Sequence, residues 1–258
     1  MALQIGRAFR DGLDELLSGR GIAFVAAFVV YGLLNAVVTS SFSRAFVESI
    51  LRQAPSEAQA GQLPTAGEAP LAFDIPLAAA GAGALVLYVV GEALTIVAIR
   101  AFADGDRSLI PSDATRRLGR TVAVTIVAAI VTGIAVAIGL VFLIVPGLVL
   151  AVLFYFVKQE IALNDSGVVE SIRNSIGIVR DDFVATAVLA IVLAVLGIAV
   201  GSAVQLLPLP VPTTALTALT TVISGVFGVF GIAVTTLAYL QVASTRDVAA
   251  GAGGLDGV

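Results

Sequence analysis

Long apolar runs separated by short polar segments dominate the chain. Six of these runs approach the roughly 20 apolar residues that one bilayer crossing needs. They lie at residues 21–40, 75–99, 121–145, 147–163, 184–207 and 213–242. The third and fourth runs are separated only by Pro146-Gly147, which predicts a tight turn between them. The pattern therefore predicts an all-α integral membrane protein with six transmembrane helices in three hairpins.

Polar segments precede each predicted hairpin. Residues 1–20 and 164–182 carry apolar side chains at helical spacing with charged residues between them, which predicts amphipathic helices at the membrane surface. The arginine-containing segment 102–120 occupies the equivalent place before the second hairpin. A short helix at 43–53, after the first span, is a further expectation. The two or three surface helices are expected on the cytoplasmic side.

The arginines are distributed unequally between the two predicted sides of the membrane. The side opposite the N-terminus holds only Arg44 and Arg52. Because positive residues favour cytoplasmic loops, both termini are expected inside a cell membrane that the chain crosses several times. The arginines on the predicted inner side are Arg7, Arg10, Arg20, Arg100, Arg107, Arg116, Arg117, Arg120, Arg173, Arg180 and Arg246.

The chain reads as a single membrane domain, residues 1–246, with a glycine-rich tail, 247–258, that is expected to be disordered. The even spans contain the similar stretches LYVVGEAL, FYFVKQEI and LAYLQVAS near their predicted inner ends. These stretches suggest three repeats, at 1–103, 104–165 and 166–246. Chance similarity between membrane segments with short loops is the alternative.

Composition supports the membrane class and removes several kinds of chemistry. The chain is 59% hydrophobic and only 12% charged, whereas soluble domains have roughly 25% charged residues. It has no Cys and no His, which excludes thiol nucleophiles, Cys/His zinc sites and imidazole catalysis. Phosphate-binding loops, zinc-protease motifs and dinucleotide fingerprints are also missing. We expect no enzyme, no metal, no cofactor and no nucleic-acid partner.

The charged residues are unusual in kind. Thirteen Arg stand against one Lys, and acidic residues exceed basic ones to give a net charge of −4. This balance resembles that of proteins from extreme halophiles, in which hydrated carboxylates keep surfaces soluble at high salt. A GC-rich genome is the alternative explanation.

A loose motif lies between residues 145 and 180. It consists of Val145-Pro146-Gly147, an apolar stretch to Tyr155-Phe156, Gly167, the hexapeptide from Glu170 to Ser175, and Arg180. It resembles a family of polytopic membrane proteins that includes the membrane domain fused to some bacterial glycerophosphodiesterases and small YciC-like proteins. The resemblance implies a fold family without a settled activity, since the phosphodiesterase chemistry belongs to a separate soluble domain.

The chain departs from that family at two places. Ile176 stands where the family often has Trp, and Lys158, Gln159 and Glu160 stand where it often has Pro late in the span.

Two ionisable residues inside apolar runs are the main candidates for function. Glu92 lies roughly 12 Å inside the boundary marked by Arg100, at about 1.5 Å per helical residue. Lys158 lies at a similar depth in the fourth span. A buried Glu92–Lys158 pair with Tyr88, Tyr155 and Gln159 nearby suggests a proton or ion site. The alternatives are a pair that only fixes helix register, or a Lys158 that snorkels to the surface beside Glu160.

Two further groups of residues are assigned roles that have simpler alternatives. The arginines of the second polar segment are expected to contact lipid headgroups, although topogenic charge explains them equally well: Arg107, Arg116, Arg117 and Arg120. Glycines of the last two spans are expected to pack helices closely, with a hinge or a homo-oligomer face as the alternative: Gly197, Gly201, Gly225, Gly228 and Gly231.

These features lead to two hypotheses of function. The first is a non-enzymatic membrane protein that organises lipids or binds partners, with membrane lipids and either a second copy or another membrane protein as partners. The second is a small transporter or transporter subunit with a buried Glu/Lys site, since transporters often contain internal repeats. A transporter needs a polar site that water can reach, whereas a scaffold can keep its buried charges dry.

Overall fold

The computed structural model describes residues 3–51, 71–105, 108–206 and 212–253, which form helices joined by turns. Six segments are long and apolar enough to cross a membrane, which confirms the all-α fold with six spans. The helices are α1 (Ile5–Leu16), α2 (Gly19–Leu51), α3 (Leu77–Ala103), α4 (Leu118–Phe142), α5 (Ile144–Leu153), α6 (Val157–Asn164), α7 (Val168–Asp181), α8 (Phe183–Leu206) and α9 (Thr213–Gly253).

The spans pair in three antiparallel hairpins. Helix α2 packs on α3, α4 packs on α5 and α6, and α8 packs on α9. Close approaches mark the first two: Tyr31 packs on Gly91, and a Cβ added at Gly139 would lie 2.8 Å from the Cα of Gly147. Helix α9 also contacts α1, α2 and α3, so it connects the first hairpin to the third.

Helix α2 is longer than the sequence pattern predicts. The first span was expected at 21–40 with a separate short helix at 43–53, but one continuous helix runs from Gly19 to Leu51. Residues 33–54 contain neither Gly nor Pro, so nothing in the sequence interrupts the helix there. Residues 52–53 of the predicted short helix lie outside the described part of the chain.

The turn between the third and fourth spans is displaced from its predicted position. The chain turns at Leu143, which has an extended backbone with φ −155°, and α5 begins at Ile144. Pro146 and Gly147 therefore lie within the first turn of α5 instead of forming the turn. Proline is tolerated there because the first N–H groups of a helix have no intrahelical acceptor.

The fourth span is a broken helix, where the sequence predicts one continuous run at 147–163. Helix α5 ends at Leu153, residues 154–156 form a turn, and α6 starts at Val157. The local sequence Phe154-Tyr155-Phe156 contains no Gly or Pro, so hydropathy gives no indication of the break. Contacts from α7 explain how the broken backbone is tolerated, as described below.

The polar segments gather at one end of the bundle, which we call the arginine end: α1, residues 108–117 and α7. Hydrogen bonds tie them together, including one from the Leu3 N–H to the Asp182 carboxylate at 3.3 Å. The described part of segment 102–120 that lies between α3 and α4 forms turns and bends and not a third surface helix. Packing is densest near this end, with Ile99, Phe156 and Val234 almost fully buried.

The opposite end of the α4–α5 hairpin is highly exposed. Val141, Phe142, Leu143, Ile144 and Val145 present most of their apolar surface outward. Exposed apolar side chains of this size are expected where a helix faces lipid and not water. The bundle is thus held together at its arginine end and opens toward lipid at the tip of this hairpin.

At the C-terminus, α9 continues to Gly253, into the segment for which the sequence predicts a disordered tail. Alanines at positions 249, 250 and 252 favour this continuation because Ala has the highest helix propensity. Residues 254–258 lie outside the described part. The proposed division into three repeats stays a prediction, since the first and third hairpins are preceded by helices and the second by turns.

Candidate functional site

Arg100, in the last turn of α3, is the centre of a buried polar cluster. Its side chain is 7% exposed, and each of its three nitrogens donates hydrogen bonds. Arginine suits this position because its guanidinium group stays charged and offers five donors in one plane. The acceptors, at 2.7 to 3.2 Å, are the main-chain oxygens of Ala162, Ala114 and Arg116, the Thr121 hydroxyl and the Asp165 carboxylate.

Asp165 extends this cluster to two further arginines. Its Oδ1 pairs with Arg100 at 2.9 Å and its Oδ2 with Arg116 at 3.0 Å. Its main-chain oxygen accepts a hydrogen bond from Arg120 at 3.1 Å. Asp165 has a left-handed backbone, φ 53°, which Asp tolerates better than most residues. These bonds fix the loop after α6 to the segment that begins α4.

A second buried arginine connects α1 and α2 to the end of α3. The Arg20 guanidinium pairs with the Glu15 carboxylate through two of its nitrogens and donates to the Asp104 main-chain oxygen at 3.0 Å. Ser18, in the turn between the helices, donates to the main-chain oxygen of Glu15 at 2.6 Å. Together with Arg100, Arg20 makes the arginine end a fixed surface.

Ser175, on the face of α7 that packs against the bundle, forms hydrogen bonds with main-chain groups at the break in the fourth span. Its hydroxyl donates to the Leu153 main-chain oxygen at 2.8 Å and accepts the Phe156 N–H at 3.3 Å. A helix interrupted at membrane depth needs such replacements because lipid offers no hydrogen bonds. The resemblance motif therefore has a structural role here: α7 docks on the broken helix through its serine.

Glu160 is a buried carboxylate held by neutral donors. Its Oε1 accepts the Tyr239 hydroxyl at 2.9 Å, and its Oε2 accepts amide donors from Asn164 at 3.0 Å and Asn174 at 3.3 Å. These partners come from α6, α7 and α9, so Glu160 connects three helices. The sequence analysis considered Glu160 only as a neighbour of Lys158 and missed this cluster.

The structure brings Glu92 and Lys158 together across α3 and α6. Lys158 Nζ lies 3.1 Å from Glu92 Oε1, in hydrogen-bond geometry, and 3.0 Å from Oε2, outside that geometry. The Glu92 side chain is 12% exposed and that of Lys158 is 36% exposed. The pair joins two hairpins close to the broken span, where it can set the register of α3 against α6.

Among the described contacts, no hydrogen bond joins the other three residues assigned to this site to the ion pair. Tyr88 is 44% exposed, and the Tyr155 hydroxyl lies 3.4 Å from Thr235 Oγ1 on α9. Gln159 is buried, and its Oε1 has no hydrogen-bond partner among the residues that the structure describes. The described part of the chain also contains no cluster of three metal-ligating side chains.

The arginines expected to contact lipid are partly engaged within the protein. Arg116 is half exposed but pairs with Asp165, and Arg120 bonds the same residue. Arg117 is exposed at the start of α4 and has a left-handed backbone, φ 49°. Arg107 lies outside the described residues. Arg116 and Arg120 therefore have structural roles whatever else they bind.

The five glycines assigned to helix packing differ in their surroundings. A Cβ at Gly225 would lie 2.9 Å from Cγ2 of Val29 on α2, and one at Gly197 would lie 3.2 Å from the Phe227 ring. At Gly201, Gly228 and Gly231, an added Cβ would meet no described atom within 4 Å outside the local backbone.

The outer face of α7 forms a groove that the sequence analysis did not single out. The groove has a volume of about 440 Å³, and Val169 at its edge is 71% exposed. The same helix buries Ser171 and Ser175 on the opposite side. The groove is lined by Val169, Ile172, Arg173, Ile176, Gly177 and Arg180.

Six apolar spans, joined at the arginine end by the buried Arg100–Asp165 ion pair, define a polytopic membrane protein. The chain matches a family model described as a domain of unknown function (DUF7847) over residues 3–242, and it belongs to that family. No curated protein and no solved structure matches the chain.

Proposed function

We propose that this protein is a non-enzymatic membrane protein that binds lipids and organises them, or partner proteins, at its arginine end. The observation that carries the proposal is the hydrogen-bond network of Arg100 and Arg20, which fixes this end as a preformed surface. Preformed surfaces bind with a smaller entropic cost than mobile ones. The partners are membrane lipids and either a second copy or another membrane protein, without nucleic acid.

We infer that both termini are cytoplasmic in the cell membrane. The inference rests on the excess of arginines at the arginine end over the two, Arg44 and Arg52, predicted on the other side. With this orientation the surface faces the leaflet that attracts basic segments through its anionic lipids.

We also propose kinship with the membrane domains of glycerophosphodiesterase-associated and YciC-like proteins. Its support is the motif from Glu170 to Ser175, in which Ser175 and Asn174 contact the fourth span and its Glu160. A halophilic source is a further proposal, supported by the excess of acid and the almost complete replacement of Lys by Arg.

The lipid-binding proposal can be tested on the purified full chain. The protein would be extracted in mild detergent, washed extensively, and the retained lipids quantified by mass spectrometry against a total extract of the same membrane. An unrelated six-span protein purified in parallel is the control. Enrichment of anionic phospholipids over both references supports the proposal, and a retained mixture equal to the bulk membrane contradicts it.

A transporter is the second function that a specific observation favours. The Glu92–Lys158 pair lies next to the break at residues 154–156, and transporters commonly bind substrates at discontinuous helices. The chain has no natural cysteine, so single cysteines can be placed directly in it. A membrane-impermeant thiol reagent would be applied to the variants Tyr88→Cys, Glu92→Cys, Tyr155→Cys and Lys158→Cys. Unlabelled 92 and 158 favour the scaffold, whereas labelling of both indicates a wet cavity and favours the transporter.

A further inference from the structure

The inner face of α7 holds this helix in a fixed position. Ser171 and Ser175 are fully buried, and Ser175 bonds the broken span on both sides of its turn. Asn174 donates to the buried Glu160 at 3.3 Å. Because these bonds come from one side of the helix, the opposite side is presented outward without freedom to rotate.

The outer face alternates apolar and basic side chains along one stripe. Val169, Arg173, Ile176 and Arg180 follow one another at intervals of three or four residues, which places them on the same side of a helix. Each arginine therefore has an aliphatic neighbour one turn away. A molecule that is both anionic and apolar would match this stripe better than a purely polar or purely apolar molecule.

Both arginines line the groove, Arg173 near its middle and Arg180 at its C-terminal end. Their Cα atoms are about 10.5 Å apart along the axis, at about 1.5 Å per residue. Gly177, between them, has no side chain and leaves a recess in the groove of about 440 Å³. Two guanidinium groups on either side of a recess can both donate hydrogen bonds to one phosphate, for which arginine geometry is well suited.

Among the residues that the structure describes, no acidic side chain lines this groove, and Asp181, which follows Arg180, is outside the lining. On the same helix, Glu170 accepts the Gly167 N–H at 3.3 Å and so caps the helix start. Just beyond the helix, Asp182 accepts the N–H of Leu3. The charge of the groove itself is therefore positive.

We infer that this groove is a binding site for the phosphate headgroup of one anionic phospholipid, held between Arg173 and Arg180. The acyl or isoprenoid chains of that lipid run along Val169, Ile172 and Ile176. The aliphatic lining selects a lipid over a soluble phosphate, because a free anion gains nothing from exposed valine and isoleucine. This inference rests on the proposed lipid-binding function and adds the site and the ligand class to it.

Native mass spectrometry of the full chain in detergent tests the site, with phosphatidylglycerol added in increasing amounts. Arg173→Gln with Arg180→Gln removes both headgroup contacts. At about 1 kcal/mol for each arginine near a lipid surface, affinity is expected to fall about 30-fold. Arg7→Gln with Arg10→Gln removes two charges from α1 at the same end but outside the groove, and is expected to lower affinity much less than the α7 double variant does.

Two further measurements distinguish binding in this groove from nonspecific electrostatic attraction of anionic lipid to the protein. Gly177→Leu fills the recess without changing the charge, and Leu is the better helix former, so the variant is expected to fold and to lose phosphatidylglycerol. Glycerol phosphate, the same headgroup without chains, is expected not to compete. Circular dichroism checks that each variant remains helical.

The outcomes distinguish this inference from the function on which it rests. Equal losses in the α7 and α1 double variants would overturn the site and leave general lipid binding in place. Competition by glycerol phosphate as effective as by the lipid would overturn the ligand class. A wild-type chain that retains no anionic lipid would contradict the proposed function itself.

Discussion

Replacing Ser175 by Ala should destabilise the protein through the broken fourth span. The Ser175 hydroxyl is fully buried and bonds both the Leu153 main-chain oxygen and the Phe156 N–H. The regular helical donor for Leu153 O would be the N–H of Val157, but that group bonds Phe154 O at 3.2 Å instead. Ser175→Ala therefore leaves two main-chain groups at the break without this partner.

The expected cost follows from those two bonds. Hydrogen bonds between membrane helices contribute about 0.6 kcal/mol on average and up to about 1.7. A buried main-chain group left without a partner costs about 1–3 kcal/mol. The bond to Leu153 is short and the one to Phe156 is long, so we expect a total loss of about 2 kcal/mol in the free energy of unfolding.

Ser171→Ala is the matched control for this prediction. Ser171 is equally buried on the same helix, but its hydroxyl bonds Val168 O within α7 at 2.9 Å, so its removal leaves the broken span intact. Unfolding of both variants in mixed micelles with increasing SDS would be followed by circular dichroism. Equal stability of the two variants would refute the argument that Ser175 supports the break.

Three other predictions concern the buried charges and the glycines. Arg100→Gln should cost about 3 kcal/mol in SDS unfolding, because it removes one partner of a buried ion pair. Lys158→Met should lower the free energy of unfolding by about 2 kcal/mol, less than the loss of a partner in a fully buried ion pair would. Adding Glu92→Gln should recover most of this loss, whereas additive effects of the two substitutions would contradict an interaction between the two side chains. Gly225→Ala should destabilise the contact with α2 by about 1 kcal/mol, whereas Gly228→Ala should be neutral or stabilising, as the same assay can show.

The six spans could be predicted from the sequence because lipid permits only backbones that satisfy their own hydrogen bonds. Apolar runs of about 20 residues then leave helices as the natural structure. The second and third hairpins followed from the short connections between their spans, whereas residues 41–74 separate the two predicted spans of the first hairpin. Element ends were less certain: α2 extends to Leu51 because no residue in the sequence stops it.

The break between α5 and α6 could not be predicted from hydropathy. The residues Phe154, Tyr155 and Phe156 are apolar and contain no helix breaker, and the break depends on a hydroxyl 20 residues away in sequence from the middle of the turn, Ser175. A periodic pattern describes one helix at a time and carries no information about such a partner. The serine within the resemblance motif was the only local signal.

Among the site residues, charge inside an apolar run identified Glu92 and Lys158, which the structure places in contact. The same criterion did not identify Arg100 and Glu160, because both lie near the polar ends of their spans, where charged side chains are expected to face water. Their burial results from the packing of three or more elements around each side chain. Tertiary burial of this kind is not encoded in the local pattern.

The orientation of the arginine end is the central claim, since lipid binding at the inner leaflet depends on it. Ser112→Cys at that end and Asp74→Cys at the opposite end place exposed cysteines in a chain that has none of its own. Intact cells would be treated with a membrane-impermeant thiol reagent before and after permeabilisation. We expect position 74 to react in intact cells and position 112 to react only after permeabilisation. The reverse pattern, or reaction of both positions in intact cells, would contradict the account.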